Sequence, residues 1–311
     1  MNIQQIRYIL AVSQHRHFET AAEHCFISQS TLSTMISKFE GEIGIKVFDR
    51  KKKPVQITKE GALIIDQLKA IGKEIEQLNE LSKEIKGEIK GNLSISVIPT
   101  IAPYLLPLFL QGFAKRFPNL SIEVKEQTTA EIIRNIKNRD LDIGIISIPI
   151  NEPEIEEVKL YDEPFLFYDA RDEKKDAVKA KQLDMGSLCL LEEGHCMRTQ
   201  VVQLCDLYQH NLKSTLNFDY KAGSIDSLLR FVRANNATTL LPYLSTLDMV
   251  ENEQQHLSTF EAPTPFRTIG LVVHKHYVKR KILESLKQEI LEKVEAVLPN
   301  NTLEGEMLMP V

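Results

Sequence analysis

At 311 residues, with 43% hydrophobic and 26% charged side chains, the chain is long enough for two or three domains and a large buried core. No apolar run reaches the ~18–20 residues of a membrane span, and the N-terminus reads as folded structure instead of a signal peptide, so a cytoplasmic protein with reduced cysteines is expected. The net charge of −5 is unevenly spread, +3 over residues 1–60 and −8 over the rest, and a basic end on an acidic body points to nucleic acid.

The first sixty residues read as three helices and a hairpin. "IQQIRYILAVSQ" has helical apolar spacing, and "FETAAEHC" is a second short helix. Ser28 is placed to cap a third, "QSTLSTMISKFEGEIG", whose core face is Leu32, Ile36 and Phe39. Its other face offers Gln29, Ser30, Ser33, Thr34 and Lys38, with Thr31 in the first turn, side chains that can bond phosphates and base edges. "KVFDRKKKPVQIT" follows as a hairpin with Arg50, Lys51, Lys52 and Lys53 at its tip. Helix, turn, helix and basic hairpin make a winged helix-turn-helix over 1–58 whose partner is double-stranded DNA.

From residue 59 to 87 a long polar helix carries Ile64, Leu68, Ile71, Ile75, Leu78 and Ile85 at a/d spacing, with Ser82 the one lapse. Such a stripe is expected to join two copies. After "GEIKGN" the pattern turns to strands alternating with helices, over 91–301, which implies parallel sheets and two α/β lobes with a cleft, a place for ligands. "TLNFDY" is read as one of the strands. Residues 302–311 have no period and are expected to be a loose tail.

Two of the four cysteines, Cys196 and Cys205, fall at opposite ends of "CMRTQVVQLC", which reads as helical. Nine helical steps rise ~13–14 Å, beyond the ~7 Å that a disulfide allows between Cα atoms. A bridge would require the helix to unwind, which makes the pair a switch candidate. His195, Arg198 and the helix N-terminus are expected to favour the Cys196 thiolate. Cys25 and Cys189 lie in apolar contexts and read as small buried hydrophobes. The cysteines lack zinc-ligand spacing, and neither metal nor cofactor is expected.

The N-terminal sixty residues resemble the LysR-type transcriptional regulators, through "FETAAEHCFISQSTLSTMISKFEGEIGIKVFDR" and "ITKEG". Thr34 stands where many relatives carry Arg, so no base contact is transferred there. The resemblance extends to a two-lobed, periplasmic-binding-protein-like effector domain. "LEEGHCMRTQVVQLC", "VIPTIAPYLLP", residues 126–129, "DEPFLF", "TTLLP" and "RTIGLV" are similar to the peroxide-sensing branch of that family. The resemblance implies Cys196 as the peroxidatic cysteine and Cys205 as the resolving one. It also implies Thr100, Thr129, His195 and Arg267 around hydrogen peroxide. The expected protein is a homodimeric or homotetrameric activator that binds promoter DNA and engages RNA polymerase, not an enzyme. The alternatives are a LysR regulator with a small metabolite in its cleft and inert cysteines, and a thiol peroxidase, which would leave the DNA-binding segment unexplained.

Overall fold

The structure, a computed structural model, describes residues 1–87, 89–171, 177–183, 186–207, 220–299 and 305–310, with the backbone alone at 83, 182 and 205–207. It divides into two compact units, Met1–Lys86 and Gly87–Val311.

In the first unit, α1 (Ile3–His15) starts at an Asn2–Gln5 capping box. α2 (Phe18–His24) follows, and α3 (Gln29–Ile43) starts at Ser28, whose hydroxyl accepts the Thr31 N–H, and ends at Gly44 in the left-handed region. Leu32, Ile36 and Phe39 face Ile9 and Val12 in the core, as their spacing requires. β1 (Phe48–Asp49) and β2 (Gln56–Ile57) pair antiparallel across the basic turn. α4 (Lys59–Ile85) is capped by Thr58. Its a/d stripe is corrected at Leu68. With Ile65, that residue packs into the unit's own core at 3% exposure, while Leu63, Ile71, Leu78, Leu81 and Ile85 stay exposed.

The second unit alternates strands and helices through β3 (Gly91–Val97), α5 (Ala102–Arg116), β4 (Leu120–Glu126), α6 (Thr129–Lys137) and β5 (Ile143–Ile148). The long β6 (Ile155–Asp169) and the short β7 (Ala177–Val178) and β8 (Leu190–Leu191) follow, then α7 (Cys196–Leu207), β9 (Lys221–Ala222) and α8 (Ile225–Ala234). β10 (Thr238–Pro242), α9 (Glu251–Gln254), β11 (Leu257–Phe260), β12 (Thr264–His274), α10 (Arg280–Glu295) and β13 (Gly305–Met307) complete it. β3 is parallel to β4 and β5, and β8 to β9. β7 and β11, and β12 and β13, are parallel as well, and the expectation of parallel sheets fails around β6 and at β5. β12 runs antiparallel to β5 and β6, and β10 and β11 run antiparallel to the far half of β6. The cause is the length of β6, whose fifteen residues serve two cores. One core holds Leu93, Phe109, Ile145 and Leu286, the other Phe165, Leu228 and Leu240.

α7 begins where these cores meet. Cys196 belongs to the first, Met197, Val201 and Leu204 to the second. The expected loose tail is also corrected in its described part. β13 pairs with β12, and Leu308 is fully buried with its N–H on Phe266 O at 2.8 Å. Gln200 Nε2 donates to Leu308 O at 3.0 Å, and Met309 N–H donates to Gln203 Oε1 at 2.7 Å. One buried leucine and an open strand edge hold a segment too short for any period to register. Of the expected strand 215–220, residues 215–219 lie outside the described ones, as do 302–304 and 311.

Candidate functional site

In the first unit, Gln29, Ser30, Thr31, Thr34 and Lys38 are exposed along α3, while Ser28 is engaged by its cap. Ser33 is half-buried and accepts from Arg50 Nη1 at 2.8 Å. Arg50 also reaches Glu40 Oε2 at 3.4 Å and lies 4.9 Å over the Phe18 ring, so its fork is turned onto the protein. Lys51, Lys52 and Lys53 are exposed between β1 and β2, with Lys52 Nζ 2.9 Å from Gln56 Oε1. Sequence reasoning passed over Glu40. This buried carboxylate accepts the N–H groups of Val47 and Phe48 at 2.9 and 3.2 Å and fixes the hairpin to α3. Its signal was an acid directly after Phe39, at the edge of the apolar face.

In the second unit, Gly194, at φ +100°, turns the chain into α7 in a region that favours glycine. Cys196 opens the helix at 5% exposure as a free thiol. Cys205 lies nine residues further along the same helix, its side chain outside the described ones. Burial pushes the Cys196 thiol up; Arg267, the Thr129 hydroxyl, and the N–H groups of Met197 and Cys196 offset part of that. The Thr129 oxygen is buried at the N-terminus of α6 and has no regular hydrogen-bond partner within the described residues.

Arg267 is 1% exposed. Its Nη1 donates to Thr100 Oγ1 at 2.9 Å and its Nη2 to Thr100 O at 3.1 Å. Its Nε donates to Glu163 Oε2 at 2.9 Å. Thr100, Thr129, Cys196 and Arg267 are thus brought together. His195 is beside Cys196 in sequence, but its Nε2 lies 3.9 Å from Glu192 Oε1. Burial lowers its pKa, leaving it neutral at pH 7, and Arg198 is turned to Leu191 O at 3.0 Å. The cation that favours the thiolate is therefore Arg267, not the neighbours in sequence. Sequence reasoning missed Glu163, although the acid in "DEPFLF" was its signal. Cys25 and Cys189 are buried thiols whose pKa values burial raises, as their apolar contexts led us to expect.

No group of three or more His, Cys, Asp or Glu among the described residues could hold a metal, and no described helix is long and apolar enough to cross a membrane. The first unit's residues 3–62 match the family of bacterial regulatory helix-turn-helix proteins of the LysR type, and residues 86–295 match the LysR substrate-binding domain. A hydrogen peroxide-inducible genes activator of Pectobacterium carotovorum is 31% identical over 96% of this chain and 98% of that protein. The DNA-binding transcriptional dual regulator OxyR of Escherichia coli K12 is also 31% identical, over 93% of this chain and 95% of its own. Full-length Pseudomonas aeruginosa OxyR, solved as a variant, superposes with a TM-score of 0.70 at 28% identity, over 94% of this chain and 98% of that one. A Corynebacterium glutamicum OxyR mutant solved with H2O2 bound gives 0.64 at 25% identity, covering 95% and 93%. The chain belongs to the LysR family of helix-turn-helix transcriptional regulators, among its OxyR-like members.

Proposed function

We propose that the protein is a cytoplasmic, promoter-binding regulator that senses hydrogen peroxide through a reversible Cys196–Cys205 disulfide. The observation that carries this reading is Cys196 buried at the start of α7 beside Arg267, Thr100 and Thr129, with a second cysteine on the same helix. The thiolate attacks one peroxide oxygen; the O–O bond breaks, Cys196 becomes a sulfenic acid and hydroxide leaves. Arg267 stabilises the thiolate and the departing hydroxide, and the Thr100 and Thr129 hydroxyls and His195 line the peroxide. The Cys205 thiol then displaces water from the sulfenic acid to give the disulfide. A cellular thiol reductant supplies the two electrons that restore both thiols and resets the switch.

α7 must open for the bridge to form, because nine helical steps hold the two Cα atoms too far apart. The two cores of the second unit act as periplasmic-binding-protein-like lobes, and this opening at their junction is the conformational output. The DNA-binding unit, 1–58, reads the promoter through the outer face of α3, with the β1–β2 hairpin as the wing. Residues 59–87 join copies into a homodimer or homotetramer that engages RNA polymerase. Non-reducing mass spectrometry after peroxide treatment tests the reading. A 196–205 bridge is expected, with faster amide exchange over 201–204. Intact thiols with a response to a small metabolite would replace it with the cleft-ligand reading.

A further inference from the structure

Glu163 on β6 stands directly across from Arg267 on β12. It is fully buried. One carboxylate oxygen accepts from Arg267 Nε at 2.9 Å and lies 2.8 Å from Nη2, while the other accepts the Leu244 N–H at 2.8 Å. The rest of the guanidinium is turned to Thr100. Removing one partner of such a pair leaves an uncompensated charge, so each member fixes the state of the other. An ion pair also presents less net charge to a third group than the cation alone. At the Cys196 thiol, burial outweighs Arg267.

We propose that Glu163 is the positioning residue of this site: it holds Arg267 against Thr100 and the Cys196 sulfur and sets how much of the guanidinium charge the thiol feels. The proposal rests on Cys196 being the reacting thiol. Several other groups surround that sulfur or the ion pair. The Thr129 hydroxyl approaches from α6, and the N–H groups of Cys196 and Met197 from α7. The Tyr161 phenol on β6, buried and without a hydrogen-bond partner among the described residues, interacts with both Glu163 and Arg267. Tyr104 on α5 is bonded to Asp226 on α8 and also feels Arg267 and Glu163. Burial raises both phenols and leaves them neutral, and His195 is neutral at pH 7. Of the charges here, Arg267 acts on the thiol, Glu163 is paired with Arg267, and Asp226 stands behind Tyr104.

The test is alkylation of Cys196 by iodoacetamide, an uncharged probe, in the full chain across a pH series, read on the Cys196 peptide by mass spectrometry. Glu163→Gln keeps an acceptor for Arg267 and removes the charge. The midpoint is expected to fall by about one pH unit, with roughly tenfold faster alkylation at pH 7. In an Arg267→Gln background the same change should have little effect. An unchanged midpoint in folded Glu163→Gln, a midpoint that rises, or an equal shift without Arg267 overturns the proposal. Should Glu163→Gln not fold, Glu163→Asp, which withdraws the carboxylate by one methylene, is expected to move the midpoint the same way, and no movement overturns the proposal. No peroxide is used. A wild type that forms no bridge under peroxide would defeat the sensing reading and leave this measurement standing.

Discussion

Cys196 meets its cation from β12, far along the chain, and not from the His and Arg that flank it in sequence. Local sequence was a poor guide to this electrostatics because the sign of the net shift is decided by burial, a tertiary property. The consequence is a pH dependence. A thiol whose pKa is raised is mostly neutral at pH 7, so the initial rate of Cys196 oxidation by peroxide should climb about tenfold per pH unit until the raised value is reached. Quenched-flow trapping of sulfenic acid checks it, and a rate flat from pH 6 to 9 would contradict it. Cys196→Ser should abolish oxidation and the transcriptional response. Cys205→Ser should leave sulfenic or over-oxidised Cys196, because nothing within the chain resolves it. Arg267→Ala should slow the first step and leave the bridge attainable, read as the same disulfide formed more slowly.

Helices with local signals were legible. Ser28 caps α3 as expected of a hydroxyl before apolar periodicity, and Leu32, Ile36 and Phe39 are buried; Thr58 caps α4 in the same way. Strand partners were not legible, since pairing β12 with β5 and β6 depends on residues more than a hundred positions apart. The α4 stripe was half legible. Its spacing is apolar but for Ser82, yet the first turns face their own unit through Ile65 and Leu68, leaving Ile71, Leu78 and Ile85 exposed. These exposed positions are where a second copy should pack. Ile71→Glu, and Ile75→Glu one turn further, should yield monomers that lose tight promoter binding, since separate half-sites would no longer be joined. Sedimentation velocity reads the result, and intact dimers in both variants would remove α4 from the interface.

Across the whole molecule, the charge asymmetry carries over to the two units, a net +2 on residues 1–86 and −7 on residues 87–311, with the cations of residues 51–53 on exposed turn positions. Replacing Lys51, Lys52 and Lys53 together by Ala should weaken binding to all DNA sequences alike. It should also flatten the salt dependence by up to about 0.9 log unit for each phosphate that the hairpin no longer neutralises. A filter-binding salt series measures this, and an unchanged slope would show that the hairpin does not touch the DNA backbone. Both units could be read from sequence; the acid that holds Arg267 showed only as an acid in "DEPFLF", because nothing local marks a carboxylate as the partner of a distant guanidinium. The end of the chain escaped as well. Its last described residues lie on α7, hydrogen-bonded to Gln200 and Gln203 between the positions of the two cysteines. The chain contains no tryptophan. An indole placed there by Met309→Trp would be the sole such fluorophore in the protein. Its emission should sit toward the blue while α7 holds the terminus, shift to the red when peroxide opens the helix, and return on reduction, turning the C-terminus into an optical gauge of the switch.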